Sequence, residues 1–193
     1  MRDALKATAR GAAFICVLPC LLSYVVRSSF LGRDRALQGS TQWLSLCPGL
    51  TGQYLRRAFL ARAISHCAPT ATIGFGTVFS KAGARIDENA YIGVGCHIGL
   101  ADIGRDVLIG SGVHVTSGRQ THGTADTGRP IREQEGQPVM VRVGAGAWIG
   151  SAAVIMADIG SNTVVGAGAV VTKDIPDSVV AAGVPAVVLK QRS

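Results

Sequence analysis

The residues best suited to chemistry lie in a polar segment, residues 117–142, which interrupts a regular and more apolar stretch of chain. The segment contains His122, and histidine is the side chain whose ordinary pKa lies closest to neutrality. His122 is therefore suited to remove a proton from a hydroxyl group as a general base. Asp126 is our candidate for the partner that orients its ring. Glu133, Glu135 or a backbone carbonyl are the alternatives.

Two further histidines, His97 and His114, each stand directly before an aliphatic residue. Together with His122 they raise a zinc alternative, because three imidazoles can form a tetrahedral site with one open position. The spacing of eight residues between His114 and His122 does not favour a zinc site, because the familiar shorter spacing between two of the histidine ligands is absent. We therefore expect no metal, and we expect His97 and His114 to lie on a surface or at a subunit interface.

The elements that must position these residues repeat every six residues from Ile73 onward. The aliphatic series are Ile86, Ile92 and Ile98; Ile103, Ile109 and Val115; Val143, Ile149 and Ile155; and Ile159, Val165 and Val171. A helix has a period of 3.6 residues and a two-faced strand has a period of two, so neither explains the series. We predict a coil of short strands with aliphatic residues inside, His97 and His114 outside on adjacent turns, and small residues at the corners. The repeated Ala-Asp-Ile-Gly at 101–104 and 157–160 indicates a shortened corner.

The composition agrees with such a coil. The chain has 193 residues, of which 48% are hydrophobic and only 5% aromatic, and it contains 25 glycines. This excludes a mini-protein and argues against a disordered chain. The five cysteines are scattered and mostly lie among apolar residues, so we expect buried, reduced thiols and neither a disulfide framework nor a metal knuckle.

The net charge of +7 comes entirely from the first third of the chain. Residues 1–67 contain nine basic and two acidic side chains, whereas residues 68–193 contain ten of each. This basic part includes a sixteen-residue uncharged run, 11–26, which is short for a membrane span and contains Pro19, so a straight span is doubtful. No small-residue cleavage site of a signal peptide follows it.

We predict that residues 1–62 form helices that lie in, or dip into, the cytoplasmic leaflet of the inner membrane, where arginines bind anionic headgroups. The alternative is that these helices pack on the rest of the protein or on another subunit. Because the excess charge is confined to this part, it indicates a lipid surface, and we expect no nucleic acid partner.

Three sequence motifs carry a resemblance to a known family. They are VGAGAWIGS at 143–151, VGAGAVVTKDIP at 165–176 and VAAGVP at 180–185. Residues 68–193 resemble the hexapeptide-repeat acyltransferases, in particular the galactoside, maltose, nodulation-factor and exopolysaccharide O-acetyltransferases. The resemblance implies that residues 68–193 have a mainly β fold, a left-handed parallel β-helix, which follows the helical segment at 1–67. It also implies acetyl-CoA as co-substrate, a homotrimer and a histidine base in the loop at 117–142.

The resemblance also assigns site residues. Ser151 would stabilise the thioester oxyanion, and Arg119 and Gln120 belong to the acceptor loop, with Gln120 standing where many relatives have a second histidine. The residues expected to bind acetyl-CoA are Trp148, Ala167, Thr172, Lys173, Lys190 and Arg192. Relatives usually have a basic residue where this chain has Val187, which leaves Lys190 and Arg192 for the phosphates.

These observations predict an acetyl-CoA-dependent O-acetyltransferase. The expected acceptor is a sugar hydroxyl of a polysaccharide or lipid-linked saccharide precursor, since a membrane-bound enzyme needs an acceptor at the membrane. An N-acyltransferase on an amino sugar and a serine-type acetyltransferase share the mechanism. A zinc enzyme like the γ-class carbonic anhydrases, or a scaffold without catalytic activity, are the alternatives of a different class.

Overall fold

The computed structural model describes residues 2–192, and the side chains of residues 7–192. Three helices come first, and they are α1 (Arg2–Leu31), α2 (Arg33–Ser45) and α3 (Gly49–Ala63). A parallel β solenoid of about six turns follows. The predicted class, a mainly β coil after a helical segment, is thereby confirmed, while the left-handed sense of the coil stays a prediction.

The strands form three sheets along the sides of the coil. The first sheet contains β1 (His66–Cys67), β4 (Arg85–Ile86), β7 (Ala101–Ile103) and β10 (Val141–Val143). The second contains β2 (Thr72–Ile73), β5 (Tyr91–Ile92), β8 (Leu108–Ile109), β11 (Trp148–Ile149), β13 (Val164–Val165), β15 (Val179–Gly183) and β16 (Ala186–Gln191). The third contains β3 (Val78–Phe79), β6 (His97–Ile98), β9 (His114–Val115), β12 (Val154–Ile155) and β14 (Val170–Val171). Only β16 runs antiparallel to its neighbour, β15, among these described strands.

The aliphatic residues of the six-residue series stack inside the coil, as predicted. In the second sheet, for example, Ile92 aligns with Ile109, and Ile109 aligns with Ile149; all three are fully buried. Each buried branched side chain contributes about 1.5–3 kcal/mol through the removal of apolar surface from water. The two Ala-Asp-Ile segments occupy equivalent places on the first side of the coil. Ile103 of the first segment aligns with Val143 of β10, and Val143 in turn forms a bridge with Ile159 of the second segment.

Small residues occupy the corners because the backbone there is left-handed. At the corner between the second and third sheets, Gly95 and Gly112 have φ of 69° and 68°. Ala152 takes the same corner one turn further along with φ of 59°, which an L-residue adopts only at a cost of about 1 kcal/mol. This strained residue directly follows Ser151, a predicted site residue.

Helices α2 and α3 cover the open end of the first turn. Thr41 Oγ1 donates to Phe79 O (3.2 Å) and accepts from Phe79 N (3.2 Å), and the Arg56 Nε donates to Ile73 O (3.0 Å). Arg56 Nη1 also donates to Leu44 O (3.2 Å) and Cys47 O (2.7 Å). A sheet end without such partners would leave backbone groups unpaired, so the helices act as a cap. The expectation that the arginines of residues 1–62 reach lipid headgroups is wrong for Arg56, which is buried against these carbonyls.

Helix α1 is continuous through Pro19. Its residues Ala7–Leu31 are long and apolar enough to cross a membrane, with a mean hydropathy of 1.8. One face packs on α2 and α3 through Val17 and Tyr24, whose hydroxyl donates to Ala63 O (3.1 Å). The opposite face exposes an apolar stripe, which consists of Ile15, Leu18, Leu22, Val25, Val26 and Phe30.

The cysteines agree only partly with the expectation of buried thiols. Cys67 and Cys96 are buried, and burial raises the pKa of Cys67 to about 12. Cys16, in contrast, is exposed on α1. All five cysteines are free.

Candidate active site

The polar segment at 117–142 forms a loop whose two arms run side by side. Backbone hydrogen bonds join Val139 N to Ser117 O (2.9 Å), Gln137 N to Gln120 O (2.7 Å) and Gly123 N to Gln134 O (3.4 Å). The loop leaves the coil just after β9, which is the third side of the third turn. His122 therefore lies on a braced arm close to the coil.

Two residues that the sequence analysis missed hold this loop together. The side-chain amide of Gln134 donates to Asp126 O (2.7 Å) and Arg129 O (2.9 Å), which closes the tip. At Gly136 the two arms come so close that a Cβ would overlap the carbonyl of Thr121 and approach His122 N. The glycine is visible in the sequence, but its role cannot be predicted there, because the sequence does not show that the two arms of the loop pair and place Gly136 beside His122.

The loop and the third sheet enclose a groove of about 450 Å³. His122 lines it from the loop, whereas His97 and His114 line it from β6 and β9. Lys81 lines it at the corner after β3 and forms an ion pair with Asp34 of α2 (2.9 Å). The groove thus brings together three histidines that are far apart in sequence, and we call it the histidine groove.

The two coil histidines stack on each other, as the six-residue period predicted for adjacent turns. His97 aligns with His114, and their ring centroids lie 6.0 Å apart with an interplanar angle of 30°. Burial, and secondarily the neighbouring His114, lower the pKa of His97 below its ordinary value of 6.5. Among the described residues, no group of three or more His, Cys, Asp or Glu side chains is placed to hold a metal ion. The zinc alternative therefore finds no ligand set in this part of the chain.

Within the described part of the chain, Asp126 forms no hydrogen bond with His122. Its carboxylate accepts a hydrogen bond from Gly128 N (2.9 Å) within its own turn, because the tip of the loop folds back on itself there. Neither Glu133 nor Glu135 donates or accepts a side-chain hydrogen bond with His122, and the ring of His122 makes none within residues 7–192. Nothing in the contacts of a single chain supports Asp126 as the orienting partner, and that role stays a prediction.

Ser151, which is predicted to stabilise the thioester oxyanion, and Ala167, which is predicted to bind acetyl-CoA, both lie at corners that precede strands of the third sheet. Ser151 stands at the corner that precedes β12, whereas the loop of His122 leaves the sheet beside the end of that strand, where Thr116 N donates to Ile155 O (2.9 Å). Ser151 does not line the histidine groove that His122 lines. Ala167 stacks on the Ser151 corner one turn along, and Trp148 is half-exposed on the second sheet nearby.

The other predicted donor residues divide between two places. Thr172 and Lys173 follow β14, and Thr172 O accepts from Arg119 Nη1 (3.1 Å). Arg119 and Gln120 line a second cavity, about 560 Å³, together with Arg142 and Asp158, and they do not line the histidine groove. Lys190 lies on β16, and Arg192 just beyond that strand donates to Asn162 O (2.8 Å).

Comparisons with known proteins agree with this geometry. The family described as "Hexapeptide repeat of succinyl-transferase" matches residues 83–117 and 140–173, which are the coils on either side of the loop. These two matched segments carry the hexapeptide repeat of that acyltransferase family. The family predicted from the three motifs is thereby confirmed.

Solved hexapeptide-repeat structures share the fold over 83–85% of this chain. A galactoside acetyltransferase in complex with coenzyme A is 26% identical, with a TM-score of 0.70 over 83% of this chain and 81% of that one. A maltose O-acetyltransferase from Clostridium difficile 630 is 23% identical, with a TM-score of 0.73 over 83% and 87%. A hexapeptide-repeat acetyltransferase from Vibrio cholerae O1 biovar eltor, complexed with acetyl-coenzyme A, is 20% identical, with a TM-score of 0.60 over 85% and 91%. Curated protein sequences give no significant match.

Proposed function

We propose that this acyltransferase moves an acetyl group from acetyl-CoA to a sugar hydroxyl, with His122 as general base. The observation that carries the proposal is the position of His122. Its imidazole faces the histidine groove from a braced loop, and no protein group among residues 7–192 occupies its nitrogens. The galactoside acetyltransferase that is 26% identical supports the choice of donor, because its structure contains coenzyme A, and the choice of acceptor, because its name gives a sugar as the group that is acetylated.

During the transfer, the imidazole of His122 first accepts one proton and then donates it. The acceptor oxygen attacks the thioester carbonyl carbon while His122 takes the hydroxyl proton. The carbon–sulfur bond then breaks, and the thiolate leaves with the proton from the imidazolium as the thiol of CoA. The products are an acetyl ester and free CoA, so atoms and charge balance without a metal or a redox partner.

Ser151 fits the oxyanion role only if a second subunit contributes it. Its corner and the loop of His122 lie at opposite ends of the third sheet, so each chain offers one half of a site at each end. A homotrimer that brings the amino end of one sheet to the carboxyl end of the next completes the site. The exposed Lys173 and Lys190 are then available to the phosphates of CoA, as is Arg192.

Release of CoA thiol with a panel of saccharides tests the reaction. We expect His122→Ala to lower turnover by about 100-fold or more, since general-base catalysis typically contributes that much. His66→Ala is the matched control, because His66 is exposed on β1 outside the groove. Turnover of His122→Ala at the wild-type rate would remove the proposed base, and absence of CoA release with every saccharide would remove the function.

We propose further that the enzyme works at the cytoplasmic face of the inner membrane on a lipid-linked saccharide precursor. The apolar stripe of α1 supports membrane contact, because exposed apolar surface of this extent has no partner in the described chain. Arg10 and Arg62 line a cavity at the edge of the stripe, and Arg62 stacks on Phe14 at 5.2 Å from the ring centre. They replace Arg56 as candidates for anionic headgroups.

Flotation with lipid vesicles tests this contact. Leu22→Asp with Phe30→Asp should abolish flotation, whereas Val94→Asp in the solenoid should not. Arg10→Gln and Arg62→Gln should each weaken binding about fivefold on vesicles that contain phosphatidylglycerol, and leave binding to pure phosphatidylcholine unchanged. Wild-type protein that stays in the soluble fraction with both vesicles contradicts the membrane proposal but not acetyl transfer.

A further inference from the structure

Three of the four histidines of this chain line the histidine groove, and two of them have no role in the mechanism above. His97 and His114 belong to a column of outward-facing residues on the third sheet. In register, the column reads Val78, His97, His114, Val154 and Val170. Valine is the residue that this kind of surface favours. Histidine replaces it only on the two turns that face the loop, which points to a ligand in the groove.

Packing does not account for the pair. Two stacked imidazoles 6.0 Å apart repel each other when both are charged, and the burial of His97 favours its neutral form. A neutral imidazole carries one donor and one acceptor nitrogen. Neither ring forms a side-chain hydrogen bond with any residue between 7 and 192, so these groups remain available to a ligand.

The rest of the lining indicates what the ligand is. Ser80 and Thr121 add hydroxyl groups, and the ammonium of Lys81 is already paired with Asp34. No carboxylate lines the groove, so an ammonium group would find no countercharge there. The volume of about 450 Å³ lies within the range of about 300–1,000 Å³ that small-molecule sites occupy. Neutral donors and acceptors in a half-open groove suit the hydroxyls of an uncharged sugar.

We propose that His97 and His114 form the acceptor subsite, where their ring nitrogens bind hydroxyl groups of a neutral saccharide and orient another hydroxyl toward His122. The inference rests on the proposed function, because His122 defines which hydroxyl reacts. It assigns the acceptor to neutral sugars rather than amino sugars. It also distinguishes the histidine groove from the second cavity, where Arg119 meets Thr172.

A printed array of neutral, amino and acidic oligosaccharides, probed with the full-length protein in the presence of CoA, tests the subsite. Wild type should retain neutral saccharides in preference to the others. His97→Phe with His114→Phe keeps two stacked rings but removes the nitrogens, so retention should fall about tenfold or more. His97→Gln with His114→Gln restores hydrogen-bonding groups and should recover part of the retention. His66→Phe is the matched control and should bind as wild type does.

Kinetics on a retained saccharide give the second readout. The double phenylalanine variant should raise the KM for the saccharide about tenfold and leave the KM for acetyl-CoA unchanged, whereas His122→Ala should lower kcat and still bind the array. A wild type that retains no neutral saccharide, or retention that survives the double phenylalanine substitution, overturns the subsite. If retention depends on His97 and His114 while no saccharide yields CoA release, the proposed function fails and the subsite stands.

Discussion

Gly136 shows how a single residue without a side chain can control the position of a base. The paired arms of the loop come together where Gly136 faces the carbonyl of Thr121, directly before His122. We expect Gly136→Ala to push the arms apart and displace His122. A displacement of about 1 Å in an active site can cost up to about 100-fold in rate, so turnover should fall by about 10- to 100-fold.

Gly128→Ala, at the tip of the same loop, is the control for this prediction. A Cβ at Gly128 meets only the Asp126 carboxylate, at 3.3 Å. Steady-state turnover of both variants, with thermal unfolding to confirm that the coil is intact, checks the effect. Equal turnover for Gly136→Ala and Gly128→Ala would mean that the loop does not set the position of the base.

The lowered pKa of His97 predicts how stability depends on pH. Burial disfavours the charged ring, and His114, which stacks on it, adds repulsion; Lys81 and His122 line the same groove. As pH falls below about 6.5, the unfolded chain binds a proton that the folded His97 resists, so the free energy of unfolding decreases. Above that pH, this group contributes no slope.

Urea unfolding between neutral and mildly acidic pH measures this slope. His97→Phe should make the decrease below about pH 6.5 shallower, because the variant no longer has a ring that resists protonation. His66→Phe, which replaces an exposed histidine on β1, should keep the slope of the wild type. An identical slope for His97→Phe and wild type would contradict the prediction.

Among the elements, the β strands followed from the sequence most directly. Every interior position has the same physical requirement, which is a branched aliphatic residue at every sixth position. The alignment of Ile92, Ile109 and Ile149 can therefore be predicted from their spacing. The predicted stacking of His97 on His114 follows from the same register. The histidine groove could not be predicted from this register, because it depends on where the non-repeating loop folds back. The contacts that hold that loop involve backbone carbonyls and glycines, which leave no periodic pattern in the sequence.

The helical cap is the element that the sequence described least well. A run of arginines beside apolar residues has the same composition whether its guanidinium groups face lipid or backbone carbonyls. Arg56 turns inward because the first turn of the solenoid has carbonyls with no preceding strand to pair them, such as that of Ile73. Arg62, on the same helix, stays outside.

Arg56→Met tests this difference. It keeps an apolar stem of similar length but leaves the carbonyls of Ile73, Leu44 and Cys47 without the donor, so we expect a loss of about 2–4 kcal/mol of unfolding free energy. Arg62→Met removes only an exposed stacking contact and should change stability by at most about 1 kcal/mol. Chemical denaturation of both variants in the same detergent gives the comparison, and equal stability would show that the cap does not depend on Arg56.

At the scale of the whole molecule, the surface of the second sheet points to assembly. Tyr91, Leu108 and Trp148 align on three successive turns and are 41%, 44% and 51% exposed. An aligned apolar column on a flat sheet is the kind of surface that a second copy covers. The column ends beside the corner of Ser151, so burial of the column between copies would also place that corner at the subunit boundary.

Leu108→Glu should therefore separate the subunits, and the loss of assembly should also inactivate the enzyme. A carboxylate inside an apolar interface costs several kcal/mol of desolvation, whereas the same residue on a free surface costs little. Light scattering of detergent-solubilised protein should give three times the chain mass of 19.9 kDa for wild type and a single chain mass for Leu108→Glu. Leu50→Glu, which replaces an exposed leucine at the start of α3 outside the second sheet, should stay trimeric and active. A Leu108→Glu monomer with full turnover would mean that one chain holds a complete site, and the separation of Ser151 from His122 would then require another oxyanion donor.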